Sequence, residues 1–352
     1  MRWLSLLLAL LFVTPAFGDA VTEPAAEAPS ETPEAQPAAQ DSKAAAREAA
    51  AQLVDPELLA TIEAIPVEDD GHVFLWKVTS RKKRHKGSAW LFGSIHLGKP
   101  SLYPLPAAVE AAFDASDALV VEVDLFAEGV QGRMAAETMK AAMMTDGRTL
   151  SDLLDEERMT RLSTALQAHG LPMMMVGSMR PMLVGMTLSL LEMTAAGWDP
   201  ALGIDKYFLD RARGSKDIVE LETAESQLKL ITDMPIPVQV AVLQASIDAF
   251  GASAAWADKA WQAIRAGDDG ALLALAATEG GEANVEEYEQ YESALLGDRN
   301  KGMAARIAEH VRSGEGTWFV VVGALHVPGD EGLVGLLGAE RGFRVEQQTE
   351  AE

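Results

Sequence analysis

Apolar and polar residues alternate along residues 73–78, which is the period of a β-strand with one buried face. A basic stretch at residues 81–86 interrupts the alternation, and a second apolar run follows at residues 89–92. Two such runs joined by a polar turn predict a β-hairpin. An apolar helical face at residues 109–113 and a further apolar run at residues 118–123 extend the pattern to strand, helix, strand.

The middle of the chain has the period of helices. From residue 125 to about 212 apolar residues recur at helical spacing, and they do so again at residues 223–265 and 285–310. A short strand is predicted between them at residues 218–221. The continuous apolar run 317–322 predicts a buried strand, followed by a helix and a terminal strand near residue 343.

Strand-rich ends around a helical middle predict an α/β fold. We expect a mostly parallel or mixed central sheet formed by N- and C-terminal βαβ units, with a large helical insertion at about residues 126–313. A strand that returns after one helix usually pairs in parallel with the first. The strands that contain Phe92 and Val121 are therefore expected to end on the same side of the sheet.

The N-terminal region has the pattern of an exported protein. An apolar block at residues 4–13 follows Arg2 and precedes small residues, which predicts a signal peptide at residues 1–18. Residues 19–66 are acidic and rich in Ala and Pro, which predicts a flexible linker with a possible short helix at residues 49–65. Residues 67–352 are then the folded domain. We expect a periplasmic or secreted protein.

Composition narrows the classes of function. A formal net charge of −24 disfavours a nucleic-acid partner, because like charges repel. Outside the signal peptide, no stretch has the roughly 20 apolar residues of a membrane-spanning helix, so no transmembrane span is expected. The chain has no cysteine, so its fold must rest on the core without disulfides, and a closed structural zinc site is disfavoured.

Two segments repeat the same motif after a strand. GSIH at residues 93–96 and GALH at residues 323–326 each place a histidine three residues after a glycine. A glycine at the end of a strand permits a tight turn, and α/β sheets bind ligands beyond the carboxyl ends of their strands. We therefore expect the imidazoles of His96 and His326 to converge above one edge of the sheet.

Carboxylates follow two other strands. Glu122 and Glu222 each come at the end of an apolar run, where a charge is costly unless it is paired or bound to a cation. Each could serve the site, or it could form a salt bridge with an arginine or, for Glu222, cap the next helix. Asp205 is a third candidate, although an acid in the first turn of a helix is favoured by electrostatics alone.

Arg299 is the candidate cation of this site. It precedes the helix that leads into the last predicted strand, and it could hold a substrate carboxylate or stabilise an oxyanion. An arginine on a polar segment is also commonly a plain surface residue. Arg180 before Pro181 has the same two interpretations.

These motifs together resemble the TraB/GumN family over about residues 74–343. The resemblance rests on LFGSIHLG from Leu91, LVVEVD from Leu119, GID from Gly203, LET from Leu221 with Gln227 beyond it, RN at Arg299, and VVGALHVPG from Val321. It implies a site built from two Gly-x-x-His motifs and a glutamate, and a fold similar to erythromycin esterases and haem-binding ChaN-like proteins. Ser94 departs mildly from the threonine that the family often has there.

The resemblance also extends to the Tiki metallopeptidases, for which it implies dependence on Mn²⁺ or Co²⁺. As a hypothesis, His96, Glu122 and His326 hold one divalent cation, Mn²⁺ or Co²⁺ in preference to Zn²⁺, and Glu222 is the base or orients another ligand. Asp205 and Arg299 complete the catalytic candidates, and a peptide or a small acyl compound is the expected substrate.

Two other hypotheses stay open. In the first, the protein is an esterase-like hydrolase that needs no metal, with His96 or His326 oriented by Glu122 as general base. In the second, it is a periplasmic protein that binds a peptide or haem in the same cleft without catalysis.

Overall fold

The chain forms a mixed six-stranded sheet in a computed structural model that describes residues 45–82, 84–278, 296–313 and 316–350. The spatial order is β4-β3-β5-β2-β1-β6. The strands are β1 His72–Ser80, β2 Ser88–Ser94, β3 Ala118–Val121, β4 Asp217–Glu220, β5 Thr317–Gly323 and β6 Phe343–Thr349. Strands β2, β5, β3 and β4 run parallel, whereas β1 pairs antiparallel with both β2 and β6. The predicted hairpin and the predicted α/β class are confirmed.

The inner strands β3 and β5 are buried along nearly their whole length, because helices cover both faces of this sheet. The helices with described bounds are α1 Pro56–Ala64, α2 Ala107–Asp114, α3 Val130–Ala141, α4 Glu156–Ala168, α5 Met173–Val176, α6 Pro181–Ala195, α7 Ile204–Ala212, α8 Ala224–Thr232, α9 Ile236–Asp248, α10 Ser253–Ala266, α11 Asp269–Ala277, α12 Asp298–Ser313 and α13 Leu333–Ala339. Two short 3₁₀ turns, Pro200–Leu202 and Ala324–His326, lie directly before α7 and directly after β5.

The position of β5 differs from the simplest expectation. Strands β2 and β3 are parallel and end at the same edge, as expected, but they are not neighbours, because β5 lies between them. The reason is the composition of β5, since Phe319 to Val322 are all apolar and wholly buried, which requires cover on both faces and both edges. One of the two central positions in the sheet therefore belongs to a strand from the end of the chain.

The described residues contain two separate apolar cores. One holds the sheet and its flanking helices, with Phe92, Phe113, Phe208 and Phe319 packed as one aromatic cluster. The other belongs to the helical middle and is built mainly on α4, α6 and α9. Leu190 of α6 packs partly against both cores, so this helix connects them.

The region before β1 is only partly described. Residues 45–51 and α1 are helical, and Ile62 packs in the core with 2% of its surface exposed. The part of the predicted linker at residues 45–66 is therefore structured, because apolar residues at helical spacing in α1 find a partner in the fold. The predicted signal peptide at residues 1–18 and the flexible stretch up to residue 44 lie outside the described residues.

In the part of the chain that the structure describes, no single helix has the length and apolar character of a membrane span, although α8 and α9, bent by 91°, pass that test when taken together.

Candidate functional site

The carboxyl ends of the parallel strands carry the candidate residues. Glu122 follows β3, Glu222 lies two residues beyond β4, and the two Gly-x-x-His turns begin at the ends of β2 and β5. The backbone N–H of Glu222 donates to the carbonyl oxygen of Glu122 at 2.8 Å, which extends the sheet pairing by one step and holds the two acids side by side. Parallel pairing thus collects residues that lie far apart in sequence at one edge.

The C-terminal turn places His326 in the interior. Its side chain is fully buried, and its Nδ1 lies 2.6 Å from Oδ1 of Asn300 at the start of α12. Because an amide oxygen only accepts, Nδ1 carries the proton and Nε2 keeps its lone pair. Nε2 lies 3.8 Å from Oε1 of Glu122 and is a buried atom with no hydrogen-bond partner. A buried polar atom of this kind points to a proton or ligand that the fold itself does not supply.

The N-terminal turn places His96 against helix α7. His96 Nδ1 lies 2.8 Å from Oδ2 of Asp205, and the other carboxylate oxygen of Asp205 accepts a 2.7 Å bond from the hydroxyl of Ser94. The close approach of α7 requires a glycine, because a Cβ at Gly203 would lie 2.0 Å from the carbonyl oxygen of His96. Asp205 is therefore a partner of His96 and not merely a favourable acid at a helix start.

Arg299 connects the two glutamates. Its Nη2 lies 2.5 Å from Glu122 Oε2 and 2.6 Å from Glu222 Oε2, while its Nε donates to Glu222 Oε1 at 2.8 Å. The amide of Gln227 donates to both carboxylates, at 3.3 Å and 2.9 Å. With 9% of its side chain exposed, Arg299 is not the surface residue of the alternative interpretation. It forms the salt bridges that the alternative for both glutamates anticipated.

The buried charges set opposite protonation states for the two histidines. Burial alone would lower the pKa of His96, but the charge and hydrogen bond of Asp205, with the charge of Glu122, raise it to about 9. Burial lowers the pKa of His326 to about 4, because the attraction of Glu122 only partly offsets it. At neutral pH His96 is therefore a cation and His326 is neutral.

Glu122 stays ionised between these groups. Burial would raise its pKa, but its positive neighbours and the N–H of Gly323, which donates to Oε1 at 2.6 Å, lower the pKa to about 2. Because His326 is uncharged at neutral pH, Arg299 and His96 are the cations that hold this charge there. The same contacts raise the pKa of the Arg299 guanidinium.

The donor set fits a divalent cation only in part. His326 has the arrangement of a metal ligand, in which an oxygen on Nδ1 leaves Nε2 with its lone pair, whereas His96, also held at Nδ1, has it only after losing its second proton. Glu122 does not complete the set, because Gly323 and Arg299 engage its two oxygens. Within the described ranges, no group of three or more His, Cys, Asp or Glu side chains is arranged to hold a metal ion.

All six sequence candidates lie in one connected cluster, and three further residues complete it. Asn300, Gln227 and Ser94 hold His326, the carboxylate pair and Asp205, respectively. Their sequence signals were their positions, next to Arg299, five residues beyond Glu222 and inside the first Gly-x-x-His motif. Arg180 is not part of the cluster, since its Nε donates to the carbonyl oxygen of Ala141 in the helical middle at 2.9 Å.

Comparisons with known proteins agree with the extent of this domain. The profile of the TraB/PrgY/gumN family matches residues 74–347. The uncharacterized protein YbaP of Shigella flexneri and its namesake in Escherichia coli K12 are each 25% identical to the chain over 183 residues. Those alignments cover 51% of this chain and 65% of each relative, so the chain spans about two thirds of their length at most. No solved structure matches the chain.

Proposed function

The chain belongs to the TraB/PrgY/gumN family, and from this premise we propose that it is an exported hydrolase of peptide or other acyl bonds that acts at the strand-end cluster. The observation that carries the proposal is the pair of imidazoles, each held at Nδ1 by a side-chain oxygen and each near Glu122. Side chains fixed in this way are suited to bind a cation or move a proton, since their orientation costs nothing during the reaction.

The surrounding residues orient these groups. Asp205 fixes the ring of His96, and Asn300 fixes the ring of His326. Arg299 and Gln227 hold Glu122 and Glu222 side by side, so that neither carboxylate is free to turn away. Burial of the cluster keeps bulk water away and strengthens each electrostatic interaction within it.

A divalent cation is part of the first candidate mechanism. His96, His326 and Glu122 would hold Mn²⁺, Co²⁺ or Zn²⁺, and such an ion supplies an activated water and polarises a carbonyl. For this, Arg299 must release Glu122, and His96 must lose the proton that its raised pKa retains. Glu222, which keeps Arg299 as partner, is the candidate base in this mechanism.

The ion pair between Arg299 and Glu122 favours a second candidate without metal. Here Nε2 of His326 takes a proton from water, whose oxygen forms a bond to the acyl carbon. The cationic His96 gives its Nε2 proton to the departing nitrogen or oxygen as the acyl bond breaks. Glu122, 3.8 Å from His326 Nε2, stabilises the imidazolium that forms.

The decisive experiment is hydrolysis by the purified chain after chelation, with and without Mn²⁺, Co²⁺ or Zn²⁺. A mixture of peptides and a panel of acyl esters serve as substrates, with cleavage detected by mass spectrometry. Calorimetry with each metal gives a readout that does not depend on activity. His96→Ala and His326→Ala are compared with His72→Ala, a matched variant of a half-buried histidine at the start of β1.

Each outcome assigns a mechanism or rejects the proposal. Turnover and metal binding that both site variants lose, and His72→Ala keeps, support the first candidate. Turnover that survives chelation and is lost in both site variants supports the second. A chain that cleaves neither peptides nor esters under any condition is not the hydrolase proposed here.

A further inference from the structure

An apolar cavity lies beside the candidate site. It has a volume of about 50 Å³ and is bounded by Trp256, Ala260 and Ile264 of α10, Leu272 of α11, and residues 94–96 and 323–325 of the two Gly-x-x-His turns. Both turns of the site thus form one wall, and two helices on the sheet form the other.

The helical wall is fixed and apolar. Ala260, Ile264 and Leu272 have at most 2% of their surface exposed, so their positions are set by the core. The indole of Trp256 is held in place because its Nε1 donates to the carbonyl oxygen of Leu275 at 3.3 Å. A wall of this kind does not adapt to its occupant, which makes it selective by size.

In the other wall, the hydroxyl of Ser94, the N–H of Gly323 and Nδ1 of His96 already have hydrogen-bond partners. The hydroxyl of Ser94 donates to Asp205 and lies 3.1 Å from the carbonyl oxygen of Val322, and the N–H of Gly323 donates to Glu122. His96 meets Asp205 at Nδ1. An occupant therefore gains little by being polar and gains by removing its apolar surface from water.

The cavity is also accessible and continuous with the site. Ile95, His96 and Leu325 in its wall are half-buried, so it is not sealed inside the core. His96 belongs to both the cavity and the site. A side group in the cavity would therefore lie only a few covalent bonds away from a substrate bond placed at His96. This position is that of a subsite next to the reacting bond.

We propose that this cavity binds a short branched aliphatic group of the ligand, and that it thereby selects the substrates of the proposed hydrolase. The inference rests on the proposed function for its catalytic consequence. A volume of about 50 Å³ is well below the roughly 150 Å³ of an apolar cavity that holds benzene. We therefore expect an isopropyl or isobutyl group to bind there in preference to an aromatic ring. The group could be a peptide side chain or the acyl chain of an ester.

The test compares substrates that differ only in this group. One series consists of peptides with Ala, Val, Leu or Phe next to the scissile bond, and a second of acetyl, isovaleryl and phenylacetyl esters. We expect kcat/KM to be about tenfold or more higher for the isobutyl member than for the methyl or aromatic one. The series that shows this preference identifies the source of the aliphatic group.

Variants of the wall link the preference to the cavity. Ala260→Leu fills the cavity and should lower the isobutyl-to-methyl ratio of kcat/KM at least about tenfold, while Leu272→Ala enlarges it and should raise the ratio for the aromatic member. Ala266→Leu is the matched control, because Ala266 is a buried alanine of the same helix that does not line the cavity. Circular dichroism and thermal unfolding verify that each variant folds.

A binding measurement separates the cavity from catalysis. Calorimetry of N-acetyl-leucinamide, N-acetyl-alaninamide and isovalerate is done with the wild-type chain and Ala260→Leu. Tighter binding of either branched ligand that Ala260→Leu abolishes supports the cavity even if no substrate is cleaved, so the proposed hydrolysis can fail alone. Hydrolysis with no dependence on the aliphatic group, or equal binding of all ligands, overturns the inference.

Discussion

The two Gly-x-x-His turns share a motif and a position in the sheet, yet they give their histidines opposite properties. His96 is half-buried, faces the carboxylate of Asp205 and has a pKa raised to about 9. His326 is fully buried, faces the neutral amide of Asn300 and has a pKa lowered to about 4. The motif therefore determines where an imidazole lies, and the partner of Nδ1 determines its charge. One cationic and one neutral imidazole beside the same glutamate are suited to different tasks.

The largest expected effect is on stability, and it comes from replacing Arg299, the cation that lies near both histidines. Arg299→Met leaves Glu122 and Glu222 buried without their guanidinium, which should lower the free energy of unfolding by roughly 3–5 kcal/mol at neutral pH. The loss should shrink at acidic pH, because without the guanidinium, burial favours the protonated, uncharged form of Glu122. Urea unfolding at pH 5 and pH 8 measures it, with Arg344→Met as an exposed control. A change below about 1 kcal/mol would contradict the assigned role.

Asp205→Asn should remove most of the difference in pKa between His96 and His326. An asparagine can keep a hydrogen bond to His96 but contributes no charge, so burial should dominate and lower the pKa of His96 by about two units or more. Titration of the imidazole signals by NMR gives this value directly. His326 has Asn300 as its own partner and should change much less. A His96 pKa that stays near 9 would assign the shift to Glu122 instead.

Asn300→Asp tests the same contrast from the other side. A carboxylate beside Nδ1 of His326 should raise its pKa above the present value of about 4 by roughly one to two units, less than the fall at His96 because the new charge is itself buried. The NMR titration should show the pKa of His326 shifting towards that of His96. Glu63→Asp, an exposed change in α1, is expected to leave both histidines unchanged.

Glu192 can be compared with Glu122, since both are buried acids, but Glu192 has no cationic partner in the described contacts. Burial raises its pKa to about 7, although Ser253 and the N–H of Gly251 donate to it. The folded state thus holds the proton more tightly than the unfolded state, whose value lies near 4.5. Its contribution to stability is greatest below the unfolded value and is lost as pH rises towards and above 7.

Glu192→Gln should remove this dependence on pH. Between pH 5 and pH 8 the variant should lose about 2 kcal/mol less stability than the wild-type chain. Thermal and urea unfolding across that range give the slope, and Glu63→Gln is the exposed control. Parallel slopes for wild type and Glu192→Gln would show that this carboxyl does not titrate with folding.

The sequence indicated the strands and the turns because alternation and apolar runs are local patterns. It placed His96, Glu122, Glu222 and His326 at one edge, because strands that run parallel end together. It could not place β5 between β2 and β3, since that neighbour relation depends on which strand most needs burial. It also could not assign the charge of either histidine, because Asp205 reaches His96 across 109 positions of sequence.

Sequence left Arg299 undecided for a similar reason. Its surroundings in the chain are polar, and only the fold shows that it lies between two buried carboxylates. The roles of Asn300 and Gln227 are likewise apparent only from three-dimensional contacts. Local pattern thus located the site, whereas its electrostatics required the tertiary structure.

Because β5 lies between β2 and β3, the sheet and the candidate site can form only after β5 has been synthesised. A polypeptide interrupted before Thr317 would lack His326 and would leave β2 and β3 with open apolar edges that invite association with other chains. Because β5 must insert between strands made more than 190 residues earlier, long-range pairing should make assembly of the sheet slow. Partial chains should therefore lack the complete cluster of polar groups and be prone to aggregate.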